Sequence, residues 1–142
     1  MLLLAGVLLR LAMYGRRKYG NKIVQTTEGK FDGKREWQRW LILKDAESRG
    51  VISNLRRQVE YELLPKQTIQ KVEHLKTKDK VVDAFAEHPV KYVADFVYEK
   101  DGQTIVEDFK GIRTDVYIIK RKMMLYFHKI SIREVEKATE PV

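Results

Sequence analysis

The stretch Tyr92–Gly111, "YVADFVYEKDGQTIVEDFKG", constrains the fold more tightly than any other part of the chain. Two runs rich in Val, Phe, Tyr and Ile flank Asp101-Gly102, a strong short-range signal for a β-hairpin with a two-residue turn. Carboxylates nevertheless sit inside those runs, at Asp95, Glu107 and Asp108, with Lys110 close behind. Residues two apart on a strand face the same way. Asp108 and Lys110 therefore share a face with Val106, Asp95 shares one with Val93 and Val97, and Glu107 points oppositely with Phe109. Asp95 and Asp108 lie at comparable distances from the turn, so the hairpin predicts that they approach each other on adjacent strands.

Two carboxylates held close repel unless a proton or a cation lies between them. A hard divalent cation such as Mg2+ takes oxygen ligands, accepts one or two protein carboxylates and keeps waters. An ammonium at Lys110 is then placed to orient a water and to stabilise charge that grows in a transition state. Asp, then Asp-x-Lys on the next strand, is a pattern for metal-assisted phosphodiester hydrolysis. The same residues also read as a cross-strand charge pair, with Asp95 an edge charge that blunts aggregation.

The surroundings favour a single folded domain. At 142 residues the chain is long enough for one core, and its 44% hydrophobic content argues against disorder. It has no cysteine, which excludes disulfides and thiolate metal sites. A net charge of +8 points to polyanionic partners, nucleic acid before acidic lipid. The three histidines, His74, His88 and His128, show no zinc spacing, and no Gly-rich phosphate loop suggests a nucleotide cofactor.

"FDGKREWQRWLILKDAESRG", from Phe31, predicts a helix with Asp32 as its cap, Gly50 past its end and Trp37, Trp40 and Leu41 as its apolar stripe. Glu36, beside that stripe, reads as a first-turn acid favourable to the helix dipole. "NLRRQVEYELLP" predicts a strand, with Val59, Tyr61 and Leu63 on one face. Residues 66–90 are ambiguous, with "DKVVDAFAEH" a candidate helical turn. "TDVYIIKRKMMLYFHK" predicts a second helix, capped by Thr114 or Asp115, with Val116, Ile119, Met123 and Tyr126 at helical spacing. "KISIREVE" closes as a strand. The N-terminal apolar run is broken at Arg10, short of the roughly 20 residues a membrane span needs, so no membrane protein is expected. That segment, residues 1–17, reads as an extension before a domain of residues 18–137, with 138–142 as a tail.

With these motifs in order, the chain resembles the PD-(D/E)XK nuclease superfamily, whose core runs helix, three strands, helix, strand. Within it, the chain is similar to a phage-encoded family of formerly unknown function. The motifs that carry the likeness are "KYGNK" from Lys18, "FDGKRE" from Phe31, "GVISNLRRQ" from Gly50, "YVADFVY" from Tyr92 and "VEDFKG" from Val106. They span about residues 18–135. The resemblance implies a restriction-endonuclease-like α/β (α+β) core, with a mixed sheet flanked by helices. It also implies a Mg2+- or Mn2+-dependent endonuclease acting on DNA in the bacterial host cytoplasm, with branched recombination intermediates such as Holliday junctions as the target. By the same likeness Glu36, Asp95, Asp108 and Lys110 are the catalytic set, with Glu36 reaching the metal directly or through water. Ala94 stands where the superfamily name has proline, and Asp108 where many members have glutamate. Gln58 matches a family glutamine and is expected to make a hydrogen bond near the site, or a structural one. Glu107 competes with Asp108 but has the wrong parity relative to Lys110.

Lys34, Arg35 and Arg39 on the first helix, Arg56 and Arg57 before Gln58, and Arg113, Lys120 and Lys122 near the second helix are expected to contact phosphates. Trp37 and Trp40 read as core. Two symmetric cuts at a junction imply a homodimer, with the apolar N-terminal segment as a candidate dimer element. The alternative function is a catalytically silent DNA-binding module on the same fold.

Overall fold

The computed structural model describes residues 22–142. The expected hairpin forms. Strand β6 (Val90–Lys100) and strand β7 (Gln103–Phe109) pair antiparallel, closing with Lys100 opposite Gln103. Asp101 and Gly102 both take positive φ, 50° and 75°, the combination that matches the right-handed twist of the flanking strands.

Around this hairpin a mixed four-stranded sheet runs in the order β3 (Ser53–Leu64), β6, β7, β8 (Arg133–Val135). β3 is antiparallel to β6, whereas β7 and β8 are parallel, joined by a crossover that contains helix α2 (Asp115–Met123). Helix α1 (Lys34–Ser48) covers one face of the sheet, where Trp40, Leu43 and Ala46 pack with Phe31, Phe96 and Tyr98. On the other face Tyr117 of α2 and Met124, which opens a π-helical turn at Met124–His128, pack with Leu63, Ala94, Val97 and Val106. The core order α1-β3-β6-β7-α2-β8 is the predicted helix, three strands, helix, strand. Two short strands, β1 (Val24–Thr26) and β2 (Gly29–Phe31), precede it as a small hairpin.

Four local expectations are corrected. Residues 67–87 form no helix: β4 (Gln67–His74) and β5 (Asp79–Glu87) make a long antiparallel ribbon, and "DKVVDAFAE" is its second strand. Gly33, not Asp32, occupies the N-cap of α1; the Asp32 backbone N–H, one residue before the cap, donates to the Glu36 carboxylate at 3.1 Å and ties that acid to the approach of the helix. The buried face of α1 is Glu36, Arg39, Trp40, Leu43 and Ala46, one that includes two charged side chains and therefore escapes an apolar pattern. Val116 and Ile119 of α2 and Tyr126 of the π-helical turn are exposed, because Tyr117 and Met124 face the sheet instead. The two ends that were anticipated hold. Thr114 Oγ1 accepts the Tyr117 N–H at 3.2 Å. Gly50, φ 74°, follows α1 in a motif where the Val51 and Gly50 N–H groups return to the carbonyls of Ala46 and Glu47.

Strand β3 turns over midway. Leu55 packs on the α1 cluster and Arg57 lies 3.7 Å from the Phe31 ring, yet Val59, Tyr61 and Leu63, of the same parity, join the α2 cluster. Gln58 lies between the two groups with φ 53°, and a left-handed residue reverses the direction of the side chains that follow. β6 reverses in step, with Tyr92 and Ala94 in the α2 cluster and Phe96 and Tyr98 in the α1 cluster. The register Arg57 to Phe96 and Val59 to Ala94 places Gln58 opposite Asp95, at the level of this reversal.

Candidate active site

Asp95 and Asp108 come together because the β6–β7 ladder ends just before them. Its last pair is Phe96 with Glu107, after which β7 continues alongside β8 instead. The strands part, and Asp95 accepts the Phe109 N–H at 2.8 Å in the gap. Asp108 is buried. Its Oδ2 accepts the Tyr92 hydroxyl at 2.7 Å and its Oδ1 lies 3.2 Å from Lys110 Nζ. Lys110 is held from two sides: its backbone N–H extends the β8 ladder to the Val135 carbonyl at 2.9 Å, and its ammonium lies 4.1 Å from the Tyr117 ring centroid.

Glu36 reaches the same place from the first turn of α1. Together Glu36, Asp95, Asp108 and Lys110 line one cleft of about 1120 Å3 between the start of α1, the first half of β6, the end of β7 and the start of α2. Its rim is basic, with Lys22, Lys34, Arg35, Lys91 and Lys120.

The electrostatics are those of crowded acids. Burial, then the charges of Asp108 and Glu36, pushes the Asp95 carboxyl up to about 8. Burial, and after it the acids Asp32 and Asp108, likewise raises Glu36. Burial raises the Tyr92 hydroxyl as well, with the Asp108 carboxylate adding to it, so Tyr92 stays a proton donor to Asp108. Among the described residues no group of three acidic, histidine or cysteine ligands is close enough to form a ready-made metal cage. The oxygen-only donor set and the pair of carboxylates that need a positive charge between them nevertheless fit a hard divalent cation.

The remaining candidates divide. Lys34, Arg35 and Lys120 line the cleft, and Lys122 and Arg56 are exposed beyond it. Arg39 is corrected: it is fully buried, bonded to Glu107 through Nε at 3.0 Å and Nη2 at 2.7 Å, and to the carbonyl of Ala138 at 3.2 Å. A buried carboxylate demands such a partner, so Arg39 is unavailable to phosphate. Glu107 is equally buried on the α1 side of the sheet, receiving also the Tyr98 hydroxyl at 2.6 Å, as its opposite parity implied. Arg57 lies over Phe31 and bonds the carbonyls of Glu28, at 3.2 Å, and Lys30. Gly29, beside that guanidinium, has φ 115°, a conformation that residues with a side chain rarely adopt, so the start of β2 favours glycine.

Arg113 pairs with Glu134 and with Glu136 at 3.0 Å. Gln58 is exposed and does not line the cleft. Trp40 is core, stacked 5.9 Å from Phe96, whereas Trp37 reaches the cleft. Two site residues escaped the sequence reading. Tyr92 and Tyr117, which hold Asp108 and Lys110, carry no signal except their position beside the acidic motifs. The proposed N-terminal dimer element lies outside the described residues, and among those described no helix is long and apolar enough to cross a membrane.

No curated protein and no solved structure matches this chain. A family model described as "Protein of unknown function (DUF1064)" matches residues 16–139. That span takes in every element from β1 to β8 and the whole cleft, and the chain belongs to this family.

Proposed function

We propose that the protein is a divalent-metal-dependent DNA endonuclease of the PD-(D/E)XK type. The observation that carries the reading is the meeting of Glu36, Asp95, Asp108 and Lys110, from three separate elements, in one basic-rimmed cleft. Asp95 and Asp108 would hold the cation, with Glu36 alongside. Bound there, the ion supplies Lewis-acid charge to the scissile phosphate. The protein's own groups do the rest. Tyr92 fixes one oxygen of Asp108, leaving its orientation defined. Lys110 orients the attacking water and donates to the charge that grows on the phosphate oxygens. The lysines and Arg35 at the rim anchor flanking phosphates without reading sequence.

Branched DNA as substrate, a homodimeric assembly, a phage source and the host cytoplasm as the place of action complete the proposal, on the motif resemblance alone. A catalytically silent DNA-binding module is the second reading. It draws on the ion pair between Lys110 and Asp108 and on the absence of a ready-made three-ligand cage among the described residues.

Cleavage of labelled four-way junction, flap, single-stranded and duplex DNA with Mg2+, Mn2+ or EDTA tests the choice. Metal-dependent cutting is expected, and Asp108→Asn is expected to abolish it while leaving the fold and DNA binding nearly unchanged. Asp108→Asn cutting at the wild-type rate would remove Asp108 from the mechanism. Binding without cutting in any metal would select the silent module.

A further inference from the structure

The β4–β5 ribbon has no role in the cleft, yet it is built as a projecting arm. It grows from the end of the β3–β6 ladder, whose last pair is Leu64 with Val90, and among the described residues its extensive contacts are between its own two strands. All of β4 is exposed, and on β5 only alternate residues are half-covered. Apolar side chains stand open on both sides: Ile69 is 51% exposed, Val72 53% and Val81 61%. A two-stranded ribbon with neither face covered is marginal in water, which calls for a partner.

The tip indicates which partner. Lys76, Lys78 and Lys80 fall within five residues, Leu75 opens the turn, and Asp79 is turned back to His74 at 2.8 Å. Three lysines disfavour apposition with an identical tip and favour a polyanion. The root points the same way. Val90, at the base of the arm, immediately precedes Lys91, Tyr92 and Val93, which line the cleft. Two strands about 4.8 Å apart are narrow enough for a major groove about 12 Å wide. Eight residues at about 3.3 Å each reach roughly 25 Å, or about seven base pairs.

We propose that β4 and β5 form an arm that grips duplex DNA to one side of the cut, its tip lysines on the phosphates and Leu75 against the groove. This rests on the nuclease reading for the location of DNA in the cleft and adds a second point of attachment at a distance from it.

The test uses the full chain in EDTA. Fluorescence anisotropy on a labelled duplex over a salt series compares wild type with Lys76→Gln/Lys78→Gln/Lys80→Gln. The triple variant is expected to bind about tenfold or more weakly, with a log K against log salt slope shallower by about two to three, near 0.9 for each phosphate that is no longer neutralised. Because the chain has no cysteine, Thr77→Cys offers a single attachment point for a photo-crosslinker at the tip. The crosslink is expected on DNA about seven base pairs from the cut or, without cutting, from the edge of the cleft footprint. Unchanged affinity and slope would overturn the proposal. A tip-to-tip protein crosslink in place of DNA would overturn it in favour of a second copy. Wild type that binds DNA but never cuts defeats the nuclease reading and leaves the arm intact. Wild type that binds no duplex, flap or junction defeats both.

Discussion

Asp95 is the residue on which the site's chemistry and its cost meet. Its carboxyl is pushed up to about 8 from an ordinary 3.8, by burial first and by Asp108 and Glu36 after it. The folded protein thus binds a proton there that the unfolded chain has lost, and stability falls as pH rises from about 3.8 to about 8. Removing the carboxylate should therefore help most at the upper end of that window. Asp95→Asn, in EDTA, is expected to raise Tm by about 3 °C or more at pH 8 and by clearly less at pH 5. Thermal unfolding at the two pH values checks this, and an equal or opposite change would show that Asp95 is not held under repulsion. Glu107 shows the contrasting solution at the same depth. It lies next to Asp108 in sequence, yet Arg39 and Tyr98 satisfy it completely, which makes it a structural ion pair and not a site.

At the scale of elements, the decisive event is the reversal of β3 and β6 at Gln58 and Asp95. A glutamine at φ 53° within a strand costs about 1–3 kcal/mol and persists only where the surroundings require it. Here they do, since Arg57 and Val59 must pack on opposite sides of the sheet. Glycine adopts that conformation freely and a β-branched residue resists it. Gln58→Gly is expected to leave urea stability within about 1 kcal/mol of wild type, whereas Gln58→Val should lose about 1–3 kcal/mol. If valine were tolerated as well as glycine, the reversal would not depend on the left-handed residue. Elsewhere Glu134 ties α2 to β8. Burial works against its charge, but hydrogen bonds from Arg121, Arg113 and Tyr117 hold it down at about 2.

At the scale of the molecule, the sheet and its two flanking helices form a closed core, and the ribbon stands outside it. Strands β6 and β7 share the sheet with two further strands and are covered on both faces, whereas among the described residues β4 and β5 pair only with each other. Opening of the ribbon should therefore need far less than global unfolding. Hydrogen exchange of the free protein is expected to release the β4–β5 amides at least about a hundredfold faster than those of Phe96 to Tyr98. Equal protection would mean that the ribbon is packed against something in the free state. The carboxyl end, by contrast, is fastened: Arg39 holds the carbonyls of Ala138 and Glu140, and Val142 packs against the α1 cluster.

Short-range chemistry was legible in the chain. Asp101-Gly102 dictates a two-residue turn, Gly50 a helix end and Thr114-Asp115 a helix start, of which the structure uses Thr114, because each is a local conformational preference that few other residues meet. Equal distance from that turn was enough to bring Asp95 and Asp108 together, and the parity that separates Glu107 from Lys110 follows from the pleat alone. What depended on partners distant in sequence was not legible. Arg39 reads as a surface cation until Glu107, 68 residues away, is folded beneath it. The α1 stripe hides behind two buried charges for the same reason. The 66–90 segment carries no clear pattern because β4 buries neither face and β5 only half-covers one, which leaves little reason for strict alternation. Even the odd-numbered face of β3 is divided between two cores, since one left-handed residue inverts every side chain after it.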